Sequence, residues 1–159
     1  MSVTIELINK EHPSHQAAFN ELMQDKDIRQ ISTLRELYLG YFIKQSENIV
    51  GIIGLNKFKG EPAVNYGIKK EFRGQNIASV ALEMLMDSIL DENTRGLYGI
   101  VQWHYFNKEI IDQCQASRKI LEKSGFIDKT DYDRQEANMQ ILYKHNPRYD
   151  KTLVARKEK

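Results

Sequence analysis

The stretch Glu71–Leu82 reads EFRGQNIASVAL and places an arginine and a glycine directly before a run with helical periodicity. A strand that turns into a helix leaves the first helical N–H groups without acceptors, and the helix dipole adds partial positive charge there. Gly74 permits close approach to the backbone, Asn76 tolerates left-handed geometry, and Arg73 can add a charge-assisted contact. The stretch therefore predicts a site for phosphate or pyrophosphate. The alternative is a tight connection with a solvated arginine.

Two other phosphate-binding loops are excluded by their spacing. A Walker loop requires G-x-x-x-x-G-K-[ST] and a Rossmann turn requires G-x-G-x-x-G, and neither occurs in the sequence. A phosphate site in this chain therefore has to use a different strand-to-helix turn.

Composition indicates one ordinary globular domain. The chain has 159 residues, of which 41% are hydrophobic and 28% are charged. A net charge of +1 provides no overall field for nucleic acid or an anionic membrane, so we expect neither partner. The segment Arg148–Lys159 carries five Lys/Arg against two Asp/Glu, which is typical of a solvated tail. We predict a domain over residues 1–146 and a basic tail over residues 147–159.

The cysteine count and the N-terminus indicate a location. Cys114 is the single cysteine, so no internal disulfide can form, which fits a reducing compartment. The first residues, MSVTIELINK, lack the apolar core of a signal peptide. No stretch approaches the roughly 20 apolar residues that span a bilayer. We expect a cytoplasmic protein.

Apolar periodicity predicts an α+β fold with a mixed sheet. We expect Ser14 to cap the first helix, and Gly125 with Phe126 to end the last helix in a Schellman-type motif. The predicted strands cover residues 3–7, 37–45, 49–58, 63–69, 97–103, 126–134 and 137–144. The first predicted helix starts at residue 14, and the other three cover residues 27–35, 77–90 and 112–124.

Two motifs resemble those of the GNAT superfamily of acyl-CoA N-acyltransferases. Ile68–Ala78 resembles motif A, [RQ]-x-x-G-x-[GA], with Asn76 at the central glycine and Lys70 at a common proline. Ser117–Phe126, SRKILEKSGF, resembles motif B, most closely in the ribosomal-protein N-terminal acetyltransferase branch. The resemblance covers Val3–Lys144. It implies the GNAT fold, a mixed and mostly antiparallel sheet of about six or seven strands flanked by about four helices.

The resemblance also implies acetyl-CoA as co-substrate. The pyrophosphate would lie on the backbone N–H groups that follow Arg73, and the Ile68 N–H would act as oxyanion donor to the thioester carbonyl. Ser117 would approach the far side of the cofactor. The implied cofactor-binding residues are Ile68, Arg73, Gly74, Gln75, Asn76, Ile77, Ala78, Ser79 and Ser117.

The acid and base residues of the family do not transfer to this sequence. Ala63, Cys114 and Leu121 occupy positions where family members often have Glu, Asn and Tyr respectively. His104, which titrates in the useful range, and Tyr143, on the last predicted strand, are the substitute catalytic candidates. The alternative for each is a packed or surface side chain.

Three further features have plainer alternatives. Tyr66 is a weaker catalytic candidate, because strand alternation turns it to the opposite side from Asn65 and Gly67. Cys114 could accept an acyl group but fits a small buried hydrophobe better. His12 and His15 resemble a ligand pair, yet Pro13 and a helix start separate them, so we expect no metal site.

We therefore expect an N-acetyltransferase that moves an acetyl group from acetyl-CoA to a primary amine. The amine belongs to a small molecule or to a protein N-terminus, and it attacks the thioester directly in a ternary complex. One alternative is a non-catalytic acyl-CoA-binding module with the same fold. Another is a structural protein whose turn binds nothing. A homodimer stays open.

Overall fold

The computed structural model describes residues 2–29, 31–91, 93–102, 108–130 and 139–149. The strands are β1 (Val3–Leu7), β2 (Leu39–Gln45), β3 (Asn48–Phe58), β4 (Glu61–Ile68), β5 (Gly96–Gln102), β6 (Ile127–Asp128) and β7 (Met139–His145). The α-helices are α1 (Pro13–Leu22), α2 (Lys26–Arg29), α3 (Ile77–Ile89) and α4 (Lys108–Lys123), and single 3-10 turns cover Ser32–Arg35 and Lys70–Phe72.

The strands and helices confirm the predicted α+β class with a seven-stranded mixed sheet. The chain divides into two compact units, of which the first is Met1–Asn56 with Val64–Ser88 and the second is Lys57–Ala63 with Ile89–Lys159. In the first unit, β2 pairs antiparallel with both β1 and β3. In the second unit, β7 pairs antiparallel with both β5 and β6.

The core of the first unit lies between the sheet and the short helical segments before β2. Ile28, Phe42 and Ile52 are at most 1% exposed. Gly67 permits this packing, because a Cβ built there would lie 3.1 Å from Leu34 Cδ1 and 3.2 Å from Ile31 Cδ1. Because Gly67 of β4 has no side chain, the helical segments before β2 can pack close to this strand.

Helix α3 buries one apolar face along its length. Met86 is buried, whereas Ile89 at the last turn is half-buried. The buried residues are Ile77, Ala78, Ala81, Leu82, Leu85 and Met86.

Helix α4 packs onto β5 through a glycine within the second unit. Leu121 is 2% exposed, and a Cβ built on Gly99 would lie 2.8 Å from both of its terminal methyl carbons. Arg118 donates to Gln140 Oε1 at 2.7 Å and to Asp128 Oδ2 at 3.1 Å. The helix is therefore held by an apolar contact with β5 and by polar contacts with β6 and β7.

Several predicted boundaries were wrong. His12, not Ser14, caps α1, because its Nδ1 accepts the Ser14 amide at 3.2 Å while Pro13 occupies the first helical turn. Helix α4 begins at Lys108, four residues before the predicted start at residue 112. Strand β6 ends at Asp128, and residues 131–138 lie outside the described residues.

The predicted Schellman ending of α4 is confirmed. The Phe126 amide donates to the Leu121 carbonyl at 3.0 Å and the Gly125 amide donates to the Glu122 carbonyl at 3.0 Å. Gly125 has φ of 93°, in the left-handed region. The glycine therefore lets two late carbonyls of the helix find donors.

We expect Gly125→Ala to lower the free energy of unfolding by about 1–2 kcal/mol, because a Cβ is strained at positive φ. Urea unfolding measures the loss. Gly125→Asn is the matched control and should lose less, since asparagine tolerates left-handed geometry. Equal unfolding midpoints for the Ala variant and the parent would contradict this account of the helix end.

Candidate functional site

The turn between β4 and α3, residues 73–79, contains two left-handed residues. The φ angle is 77° at Gly74 and 65° at Asn76. A Cβ built on Gly74 would have no heavy atom within 4 Å, so open space lies over the backbone there. Asn76 thus adopts the conformation that a glycine at the motif position would adopt, as its tolerance of left-handed geometry predicts.

The amides of this β4–α3 turn lack acceptors in the described part of the chain. The Arg73 amide donates to the Lys70 carbonyl at 3.2 Å, and the Val80 amide donates to the Asn76 carbonyl at 3.2 Å. Between them, the amides of residues 74–79 have no backbone or side-chain acceptor among the described residues. These are the unpaired donors at the positive end of a helix, so the turn can bind an anion.

The Arg73 side chain folds back toward β4. Its Nε donates to the Ile68 carbonyl at 3.1 Å, and one terminal nitrogen lies 3.7 Å from Asp27 Oδ2. Asp27 was not predicted as part of the site, because no spacing in the sequence links α2 to the β4–α3 turn. In this arrangement the guanidinium holds the end of β4 and also places positive charge beside the turn.

The predicted oxyanion donor lies at the end of β4. The Lys69 amide donates to the Val50 carbonyl at 2.9 Å, toward β3. Because successive amides of a strand point to opposite edges, the Ile68 amide points away from β3. The Ile68 side chain is buried, and this packing fixes the direction of the Ile68 amide. Gln75, in the turn, lies 3.4 Å from Gln45 through their side-chain amides.

Tyr143 lies in the second unit, in a cluster of aromatic and charged side chains. Its hydroxyl donates to Glu61 Oε1 at 3.3 Å, and its ring centre lies 4.7 Å from that of Tyr98, its partner across β5 and β7. Burial, and after it the negative charge of Glu61, raises the pKa of Tyr143 from 10.0 to about 12. Glu61 is the first residue of β4, which begins two residues before the predicted start at residue 63.

The remaining predicted residues are distributed as follows. His104 lies outside the described residues. Ser117 and Cys114 are half-buried on α4, in the second unit, and the β4–α3 turn belongs to the first. Ala63 and Leu121 are each 2% exposed, so both positions that carry polar side chains in many family members are packed here.

His12 and His15 lie close together, and the Nδ1 atom of each ring accepts a hydrogen bond from a backbone amide. Their ring centres are 5.2 Å apart. His12 caps α1, and the His15 Nδ1 accepts the Asn9 amide at 2.8 Å while its Nε2 lies 3.1 Å from Glu6 Oε1. Across the described ranges, no three His, Cys, Asp or Glu side chains are grouped as metal ligands. Within those ranges, no helix combines the length and apolar character needed to cross a membrane.

Comparison with known families identifies the fold family. The model of the acetyltransferase (GNAT) domain matches residues 4–127. This match covers more than half of the 159 residues, and the chain belongs to the GNAT acetyltransferase family. The membership confirms the family that the two motifs indicated. A search of curated proteins finds no match.

Solved structures of acetyltransferases share the fold. RimL, a ribosomal-protein alpha-N acetyltransferase in complex with coenzyme A, aligns with a TM-score of 0.68 at 13% identity, over 91% of this chain and 94% of that one. A Salmonella typhimurium acetyl transferase that modifies the N-terminal serine of a ribosomal protein aligns with a TM-score of 0.66 at 14% identity, over 91% and 95% of the chains. Campylobacter jejuni PseH, in complex with acetyl coenzyme A, aligns with a TM-score of 0.59 at 11% identity, over 91% and 99%.

We expect Tyr143 to keep its proton at a pH where ordinary tyrosines have lost theirs. The folded pKa is raised, so Tyr143 stabilises the fold below pH 10.0, and this contribution is lost as the pH rises to about 12. Phenolate absorbance near pH 11, about one unit above the ordinary value, should be almost the same for the parent and for Tyr143→Phe. Circular dichroism verifies that both are folded, and a full phenolate difference at that pH would contradict the raised pKa.

Proposed function

We propose that this protein transfers an acetyl group from acetyl-CoA to a primary amine by direct attack in a ternary complex. The acceptor is a small molecule or a protein N-terminus. The observation that carries the proposal is the row of amides at residues 74–79 without acceptors in the described chain, opened by left-handed Gly74 and Asn76. Such a row suits the two neighbouring phosphates of CoA, since each needs several donors.

The β4–α3 turn fits the pyrophosphate by the chemistry of its donors. Backbone N–H groups supply hydrogen bonds without side-chain entropy, and the open space over Gly74 admits a phosphate. Arg73 adds positive charge, and its contacts with the Ile68 carbonyl and Asp27 fix the guanidinium beside the turn. The residues proposed to hold the cofactor are those that the motif indicated, from Arg73 to Ser79, with Ile68 and Ser117.

The reaction requires donors for the developing oxyanion and a route for two protons. The Ile68 amide, which points away from β3, is the proposed oxyanion donor. An ordinary amine is protonated at neutral pH, so a base or a water chain has to remove one proton before attack. His104 stays the proposed base.

The raised pKa of Tyr143 limits the catalytic roles that its phenol can take. A phenol with a pKa of about 12 is protonated at neutral pH and therefore acts as a donor, not as a base. Full proton transfer from this phenol to a thiolate with a pKa of about 8.5 would be unfavourable by more than three units. We propose that Tyr143 acts in the reaction as a neutral phenol. Its single O–H donates to Glu61 Oε1, so the hydroxyl has to turn from this partner before it can donate to the leaving sulfur.

A non-catalytic acyl-CoA-binding module is the second candidate. The observation that favours this candidate is the packing of Leu121 against Gly99. Many family members have a tyrosine that acts as general acid at the Leu121 position, and this chain has an apolar contact there. Ala63 is likewise buried. Binding and catalysis are separable in the laboratory, so the two candidates make different predictions.

We expect Gly74→Val to weaken acetyl-CoA binding by about tenfold or more, because a β-branched residue at positive φ distorts the turn. Isothermal titration calorimetry measures the affinity. Gly60→Val is the matched control, since Gly60 also has a positive φ, 79°, with no heavy atom within 4 Å of a built Cβ, in the β3–β4 hairpin. Asn76→Gly should bind acetyl-CoA as tightly as the parent. Equal loss of affinity in both valine variants would contradict the proposed position of the pyrophosphate.

We expect acetyl-CoA and CoA to raise the melting temperature, because a ligand that binds only the folded state stabilises it. A thiol-release assay with amines and with serine-initiated peptides then distinguishes the candidates, with slow hydrolysis of acetyl-CoA as background. Release above background with any amine supports the transferase. Stabilisation without release would favour the binding module, and no stabilisation by either ligand would contradict both.

A cytoplasmic location and a homodimer stay predictions. The domain boundary at residue 147 also stays a prediction. Arg148 donates to the Leu90 carbonyl at 3.3 Å, and the Arg95 guanidinium lies 5.8 Å from the centre of the Tyr149 ring. These contacts attach the first residues of the predicted tail to the second unit.

A further inference from the structure

The first unit contains a pocket of about 400 Å³ between α1, the 3-10 turn at Ser32–Arg35 and the start of β2. This volume falls within the range of small-molecule sites, which is about 300–1,000 Å³. None of its lining residues belongs to the β4–α3 turn or to the Tyr143 cluster. The acetyl-transfer site proposed above therefore does not account for it.

The floor of the pocket is apolar. Leu34, Leu37 and Ile52 are buried at its base, with exposed fractions of 1%, 5% and 0%. Ile8 and Phe19 are half-buried at its walls. Filling this space with the apolar body of a ligand would remove aliphatic and aromatic surface from water, which favours binding.

The rim of the pocket is positively charged. Lys10 and Arg35 both line it, and the lining includes no Asp or Glu. The Lys10 ammonium donates to the Leu37 carbonyl at 2.9 Å, which holds the cation at the rim. Arg35 is exposed, and none of the described residues makes a hydrogen bond or ion pair with its guanidinium. One cation is thus anchored, and the other is available to a ligand.

His15 completes the polar side of the pocket without adding a free charge. Its Nδ1 accepts the Asn9 amide, so its proton lies on Nε2, which faces Glu6 at 3.1 Å. Lys44 lies 3.1 Å from the other oxygen of Glu6 and neutralises that carboxylate. The net charge presented to a ligand is therefore that of Lys10 and Arg35.

We propose that this pocket binds a monocarboxylate with an apolar body of medium length, at a site separate from acetyl transfer. The carboxylate pairs with the planar guanidinium of Arg35, which matches it in geometry, and the hydrocarbon lies on the floor of the pocket. A phosphate ester fits less well, because it carries nearly two charges and needs more donors than one available guanidinium and one anchored ammonium supply.

The test is a titration of the full chain, with carbon-13-labelled isoleucine and leucine methyl groups, followed by NMR. Octanoate should bind saturably and shift the methyl signals of Ile8 and Leu37 while leaving Ile68, beside the β4–α3 turn, unchanged. Octylamine has the same apolar body and the opposite charge. It should bind at least about fivefold more weakly, because it meets Lys10 and Arg35 with like charge.

Variants test the charge directly. Arg35→Gln should weaken octanoate binding about threefold to fivefold, since an exposed pair contributes little more than that. Because Arg35 is exposed, the variant keeps the core. Arg29→Gln, an exposed cation on α2 outside the pocket lining, is the matched control and should bind as the parent does.

Three results would overturn the proposal. One is equal affinity for octanoate and octylamine, which would make the pocket a general apolar cleft. Another is a response at Ile68 instead of Ile8 and Leu37, which would place octanoate near the β4–α3 turn. The third is an Arg35→Gln variant that binds octanoate as tightly as the parent. Failure of the protein to bind acetyl-CoA would contradict the proposed transferase. It would not change what these three results say about the pocket.

Discussion

The conformation of two residues in the β4–α3 turn constrains the arrangement of the first unit. Strand β4 has to end at Ile68 and helix α3 has to begin at Ile77, and the chain makes this change with left-handed Gly74 and Asn76. That backbone path leaves the amides of residues 74–79 without acceptors in the described chain. The same turn thus begins the helix and creates the donors that an anion requires.

Burial along α3 stabilises this strained connection. Placing an asparagine in the left-handed region costs at most about 1–2 kcal/mol. Burying a Leu, Ile or Met side chain contributes about 1.5–3 kcal/mol, and Ile77, Leu82, Leu85 and Met86 are all buried on the apolar face of α3. Packing of the α3 apolar face therefore opposes the strain that left-handed Asn76 places in the turn.

The second unit shows how packing changes the chemistry available to a family member. Leu121 fills the space over Gly99, so its position serves the α4–β5 contact. Glu61, at the start of β4, instead accepts a hydrogen bond from Tyr143, on β7. Since burial and the Glu61 charge both raise the pKa of this phenol, the cluster retains a proton and can donate a hydrogen bond at neutral pH.

The sequence by itself determined the fold class, the family and the left-handed turn before α3, because these depend on local patterns. The apolar spacing of α3, the glycine that ends α4 and the tolerance of Asn76 for positive φ all act within a few residues. Only the tertiary structure decided which distant groups meet. Arg73 with Asp27, Tyr143 with Glu61, and the residues around the pocket at Arg35 come together through strand register and helix packing, which no local spacing encodes.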